Sequence, residues 1–147
     1  MRSRFSYCCL RGFPAYQQTA RQCVTPQRLA LAIQRATGHF KDHVADYRRV
    51  FRRHACKRLW CKPSAVKFTP LEASLKRIRS ASLADCDDCY GWTDGYKINV
   101  SRQVEMTFDE LVGTLVHEEL HCFCLARGKF MGVAADHQCM RTLGEKC

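Results

Sequence analysis

His117-Glu118-Glu119-Leu120-His121 sets two imidazoles and two carboxylates within little more than one helical turn. Residues four apart on an α-helix lie about 40° apart around the axis and one turn along it. Two imidazoles at that spacing reach one Zn²⁺ at about 2.0–2.1 Å. Glu118 then points to one side of the pair, within reach of a proton on water activated by the metal. That makes it the candidate general base and proton shuttle. Glu119 is turned about 100° further round the helix and is expected to face away. Gly113 and Thr114, one turn earlier, are expected to leave the backbone thinly covered near the metal.

A catalytic zinc takes three protein ligands and keeps one position open. The third must come from beyond this helix, and His137 is the expected ligand, on the next predicted helix after a turn made by Gly128 and Gly132. Asp136 competes with it, and Glu145 is a more distant alternative. Cys122, Cys124 and Cys139 lie near enough in sequence to intrude.

These residues act together only if the segments carrying them fold as the chemistry needs. Thr107-x-x-Glu110 is a capping-box pattern and starts the helix of the motif. Phe108, Leu111, Val112, Leu115, Val116, Leu120 and Phe123 supply its buried side, and Gly128 is a natural stop. A shorter helix is predicted from about Val133 to Leu143, closed by Gly144. Far upstream, Thr25-Pro26 pairs an N-cap residue with proline at the first helical position. Leu29, Ile33, Ala36, Phe40, Val44, Tyr47 and Phe51 follow as one continuous apolar stripe, with Arg28, Arg35, Lys41, Arg48, Arg49, Arg52 and Arg53 opposite. Between the helices, Pro63 and Pro70 break the chain. Residues 65–68 read as a strand, and Thr93-Asp94-Gly95 reads as the turn of a hairpin whose second strand alternates Tyr96, Ile98 and Val100. The expected fold is α+β: a long N-terminal helix, a small mostly antiparallel sheet, the motif helix and a C-terminal helix. It forms one domain over residues 25–147 behind a basic arm of residues 1–24.

A chain of 147 residues suits one domain, and 46% hydrophobic with 26% charged residues is the balance of a globular protein. No apolar run approaches the ~20 residues that span a bilayer, so a transmembrane segment is not expected. Lys and Arg number 24 against 14 Asp and Glu, a net charge of +10 that favours an anionic partner: nucleic acid, a membrane surface or an acidic protein. Residues 1–41 contain no acidic residue. Such a beginning fits a basic arm and also resembles an organellar transit segment. Eleven cysteines cannot all pair within one monomer, and the absence of a long apolar run near Met1 favours a reducing, intracellular setting.

Two further constellations carry ligand-type residues. Cys56-x4-Cys61 with Cys86-x2-Cys89 would make a four-thiolate structural zinc site, against the default of ordinary thiols. His39-x-x-x-His43 has metal-like spacing, but Phe40 and Val44 between and beside them point to a structural role.

Thr107-Phe108-x-x-Leu111-Val112-x-x-Leu115-Val116-His117-Glu118-x-x-His121, followed by His137-x-x-Met140-x-x-Leu143-Gly144, resembles the zincin metallopeptidases. Within them it is most similar to the SprT-like, or Spartan-like, group. That resemblance covers about residues 90–144 and implies a helix preceded by a small sheet, three histidine ligands and proteolysis of proteins associated with DNA. The span from His121 to His137 is longer than usual for the group. Two functions follow as expectations: a zinc-dependent peptidase using Glu118, His117, His121 and His137, or a non-catalytic, zinc-stabilised nucleic-acid-binding module. For the first, Tyr90, Tyr96 and Arg141 are candidate oxyanion stabilisers.

Overall fold

Pro26–Leu59 forms a single 34-residue helix, α1. The Thr25 hydroxyl caps it by accepting from the Arg28 amide at 3.2 Å. Leu29, Ala36, Phe40, Tyr47 and Phe51 of the stripe are buried, and Ile33 and Val44 are partly so. Gly38 does not interrupt the helix, because apolar contacts on both sides hold it in register. It ends where Trp60 takes the left-handed conformation (φ 50°, ψ 46°). The computed structural model describes residues 20–126 and 129–144. The Gly128 stop and the Glu145 alternative lie outside the described residues, as do residues 1–19 of the expected arm.

After α1 come a 3₁₀ turn (Pro63–Ala65), β1 (Val66–Phe68), α2 (Leu71–Arg79) and β2 (Ser82–Ala84). Then follow β3 (Gly91–Thr93), β4 (Ile98–Ser101), α3 (Phe108–His121), β5 (Cys124–Ala126), β6 (Lys129–Phe130) and α4 (Val133–Thr142). The fold is α+β as expected, but the strands among the described residues form two three-stranded sheets. One has the order β1-β5-β6 and is antiparallel; the other has the order β2-β4-β3, with β2 parallel and β3 antiparallel to β4. The hairpin turns as expected at Asp94-Gly95, where Gly95 has φ +96°. Tyr96 is not in its strand, however. The Asp94 carboxylate accepts from the Tyr96 and Lys97 amides at 2.8 and 3.0 Å, which keeps Tyr96 in the turn, 88% exposed.

The sequence reading missed α2. Pro70 precedes it, and only Leu75 and Ile78 are buried apolar residues, with Leu71 partly buried, too few in nine residues for a visible period. It docks on α3 through a buried ion pair: Arg77 Nη1 reaches both carboxylate oxygens of Glu119 at 3.2 and 3.0 Å, and Glu119 is fully buried.

The capping box of α3 is formed, with Thr107 Oγ1 and the Glu110 carboxylate each accepting a backbone N–H at 3.0 Å. The helix stops at His121, earlier than expected, because the chain turns there into β5. Phe123 thereby enters a cluster with Phe40, Phe51 and Phe68 at ring distances of 5.6, 5.9 and 5.0 Å, which locks α3 against α1. The described end of the expected arm is held down. Gln22 and Met106 exchange backbone hydrogen bonds at 3.1 and 3.0 Å, and Val24 is buried. No helix among the described residues is long and apolar enough to cross a membrane.

Removing one partner of the Arg77–Glu119 pair leaves a buried charge uncompensated. Arg77→Met is expected to destabilise the fold by about 3–5 kcal/mol. Adding Glu119→Met should restore most of that loss, a coupling that denaturant unfolding of the two single variants and the double variant measures.

Candidate metal centre

Helix α3 is an unusual place for polar groups: twelve of its fourteen residues are buried. Its first turn is fixed by Glu110, which accepts from the Tyr90 hydroxyl at 3.0 Å and pairs with Arg21 at 2.8 Å besides its capping role. One turn on, Thr114 meets β3 at Gly91. A Cβ at Gly91 would lie 2.6 Å from Thr114 Cγ2 and 2.7 Å from the Asn99 carbonyl oxygen, so only glycine allows the strand to approach so closely. Thr114 is thus in close contact with β3.

The next turn carries His117, Glu118 and His121. His117 Nε2 lies 2.9 Å from His121 Nε2 and 3.2 Å from His137 Nε2. The three nitrogens therefore converge, with His137 brought in on α4 after Gly132, whose φ of +101° turns the chain into that helix. His121 Nδ1 donates to Asp136 Oδ2 at 2.9 Å. Asp136 is thereby committed to the back of a histidine ring, which fixes the tautomer that leaves the Nε2 lone pair facing the other two rings. It is not in the group of converging atoms; His137 is. None of Cys122, Cys124 and Cys139 joins that group. Cys122 Sγ instead contacts the Glu118 carbonyl oxygen and the Thr93 hydroxyl at 3.5 and 3.3 Å.

The electrostatics suit a cation. Burial, with the neighbouring imidazoles, lowers the pKa of His117 to about 2, and burial with His121 and Arg141 lowers that of His137. Both are thus neutral, as metal ligands must be. A single proton on His117 Nε2 lies along only one of its two short lines, whereas a cation at the meeting point satisfies all three lone pairs. Nitrogens bound tetrahedrally at about 2.0–2.1 Å sit about 3.3 Å apart, close to the spacing found. Glu118 lies beside them, its Oε2 3.9 Å from His117 Nε2, and burial raises its pKa to about 7. Glu119, on the far side, is held by Arg77, as its position round the helix requires.

The remaining expectations divide. Tyr90 is buried with its hydroxyl on Glu110, and Tyr96 sits exposed at the hairpin tip. The charge of Arg141 is felt at His137. Cys86 and Cys89 form a disulfide with each other while Cys56 and Cys61 are free, so the four-thiolate site is not formed. His39 and His43 stack at 4.2 Å beside Tyr47, a packing role. Asp136 as an orienting group and Arg77 as a counter-ion escaped the sequence reading. Only the position of Asp136 next to His137 hinted at the first.

The cluster predicts a graded loss of metal. His117→Ala and His121→Ala should abolish retention of a divalent transition-metal ion, His137→Ala should weaken it severely, and Asp136→Asn should weaken it about 10–100-fold. Competitive chelator titration with Co²⁺ or Zn²⁺ measures this order, and unchanged affinity in His137→Ala would remove it from the ligand set.

Comparison of the chain with protein-family models, with curated proteins and with solved structures finds no match.

Proposed function

We propose that this protein is a zinc-dependent metallopeptidase of the SprT-like kind, with His117, His121 and His137 as ligands and Glu118 as general base. The convergence of three imidazole Nε2 atoms with a buried carboxylate beside them carries this reading. Three imidazole ligands suit Zn²⁺ and leave a fourth position open. Bound there, zinc supplies Lewis acidity towards water and a substrate carbonyl.

The chain's own groups divide the remaining work. Glu118, with a pKa near 7, accepts a proton from the attacking water and returns it to the leaving amine nitrogen. Asp136 keeps His121 in the ligating tautomer. Strand β3 lies at an edge of its sheet and packs on α3 one turn before the histidines, so an extended peptide pairing with that edge would pass the site.

A separate observation favours a nucleic-acid partner and, with it, the second reading of a non-catalytic module. At the C-terminal end of α1, Arg49, Arg52, Arg53 and Lys57 line a groove of about 910 Å³ beside Trp60, whose side chain is 91% exposed. Cations beside an exposed aromatic plane suit a phosphate backbone with a stacked base. Arg52 also lies over the Phe68 ring at 5.0 Å, which holds its guanidinium at the rim. Arg48, on the same basic face of α1, does not line the groove, whereas Lys57 does.

Hydrolysis of a disordered protein substrate, with and without DNA, distinguishes the readings. Glu118→Gln should lose on the order of 10²–10⁴ in rate while keeping its metal. Glu119→Gln, assayed where circular dichroism shows it folded, should remain within about tenfold of wild type, because Glu119 does not face the ligands. Full activity in Glu118→Gln would end the mechanism, and hydrolysis by neither protein would favour the module.

Nucleic-acid affinity should fall linearly in log–log form with salt. Reversing Arg52 and Arg53 to Glu should lower both affinity and slope, and Trp60→Ala should weaken binding with the slope unchanged. An unaltered slope in the charge-reversed protein would assign these arginines to solvation.

A further inference from the structure

Residues 85–89 concentrate three carboxylates and two thiols in a chain whose net charge is +10. Arg102 neutralises Asp85 at 3.0 Å, while Asp87 and Asp88 are exposed. Cys86 Sγ lies 3.1 Å from Asp88 Oδ1, and one ligand atom from each of Cys86, Asp88 and Cys89 lies within 4.8 Å of the others. The disulfide between the cysteines closes a loop with only two residues inside it. A loop so short restrains the unfolded chain about as little as a disulfide can, so stapling the fold is a poor account of the pair.

Both ends of the segment are anchored. The Ser101 hydroxyl donates to the Cys86 carbonyl oxygen while accepting from the Gln103 and Val104 amides at 3.1 Å each. Beyond Cys89, Tyr90 is tied to Glu110, and Gly91 packs against Thr114. The intervening residues are thus held as a preorganised cradle, and the ordering cost of binding is largely met in advance.

We propose that Cys86, Cys89 and Asp88 form a second metal site, which takes a thiophilic divalent cation, Zn²⁺, when the disulfide is reduced. An external dithiol or phosphine breaks the Sγ–Sγ bond with two electrons and is itself oxidised, and two protons leave Cys86 and Cys89 as thiols. Zn²⁺ then displaces both protons. The two thiolates settle about 3.8 Å apart, as tetrahedral bonds of about 2.3 Å require. Asp88 supplies the third ligand and solvent the fourth. An external disulfide takes two electrons from the thiolates and is itself reduced to thiols. The Sγ–Sγ bond re-forms and the ion is released, so occupancy follows the redox state of the pair. The site is independent of the metallopeptidase reading.

The full chain, stripped by chelator, is compared in its phosphine-reduced and oxidised forms for bound zinc and for the Co²⁺ spectrum. Reduced wild type should bind one more zinc equivalent than the oxidised protein. It should also show sulfur-to-cobalt charge transfer that Cys86→Ser/Cys89→Ser lacks. Asp88→Asn should keep this equivalent with affinity lowered about tenfold or more. His117→Ala/His121→Ala should keep it too, so failure at the histidine cluster and failure here are read separately. Equal zinc content and equal spectra in reduced wild type and the double serine variant would overturn the proposal. So would equal zinc content in reduced and oxidised wild type, a comparison that needs no variant to fold. Unchanged affinity in Asp88→Asn would remove the carboxylate ligand.

Discussion

Burial of α3 on nearly all sides is the constraint to which the rest of the molecule answers. A helix bearing Glu110, Thr114, His117, Glu118, Glu119 and His121 cannot enter a core unless its polar atoms find partners, because an unmet charge or donor there costs several kcal/mol. The fold supplies those partners one turn at a time. Glu110 takes its own cap, Tyr90 and Arg21; the Thr114 hydroxyl donates to the Glu110 carbonyl oxygen at 2.7 Å; Glu119 takes Arg77. The imidazoles are left facing one another, as a group that could hold a metal ion.

Much of the architecture follows from that requirement. α1 covers one side of α3 with aromatic and small residues, α2 brings a single arginine to the other, and the β2-β4-β3 sheet lays Gly91 against Thr114. The early end of α3 belongs to the same logic. Continued to Gly128, the helix would carry Phe123 onwards as part of its own stripe; turning after His121 places that ring among Phe40, Phe51 and Phe68 instead. The same turn gives β5 to β1 and sends the chain back towards His121 through α4. The aromatic cluster and the return of His137 are two results of one change of direction.

Burial also biases the protonation states of the cluster. The same desolvation that keeps His117 neutral lifts Glu118 to about 7. On the proposed reading, one environment would favour both neutral imidazoles for a metal and a carboxylate that exchanges a proton near neutral pH. Asp136, itself raised by burial and partly compensated by His121, marks the outer limit of the cluster.

The sequence by itself determined what depends on neighbours within a turn or two. The Thr107–Glu110 box, the Thr25-Pro26 start, the stripe of α1, the hairpin turn and the spacing of His117 and His121 all reflect local periods and caps, and each could be read without a fold. His137 was legible in part, because a second short helix ending at Gly144 had to bring something back. Tertiary structure alone decided which distant groups meet: Arg77 with Glu119, Arg21 and Tyr90 with Glu110, Gly91 with Thr114, and Asp136 behind His121 rather than beside His137 as a ligand. It also decided that the short strands form two sheets and that α2 exists. Those outcomes turn on three-residue strands and a nine-residue helix with two buried anchors, whose own preferences are too weak to appear as a pattern. They form because a buried, charged helix stabilises whatever packs against it with the right partner.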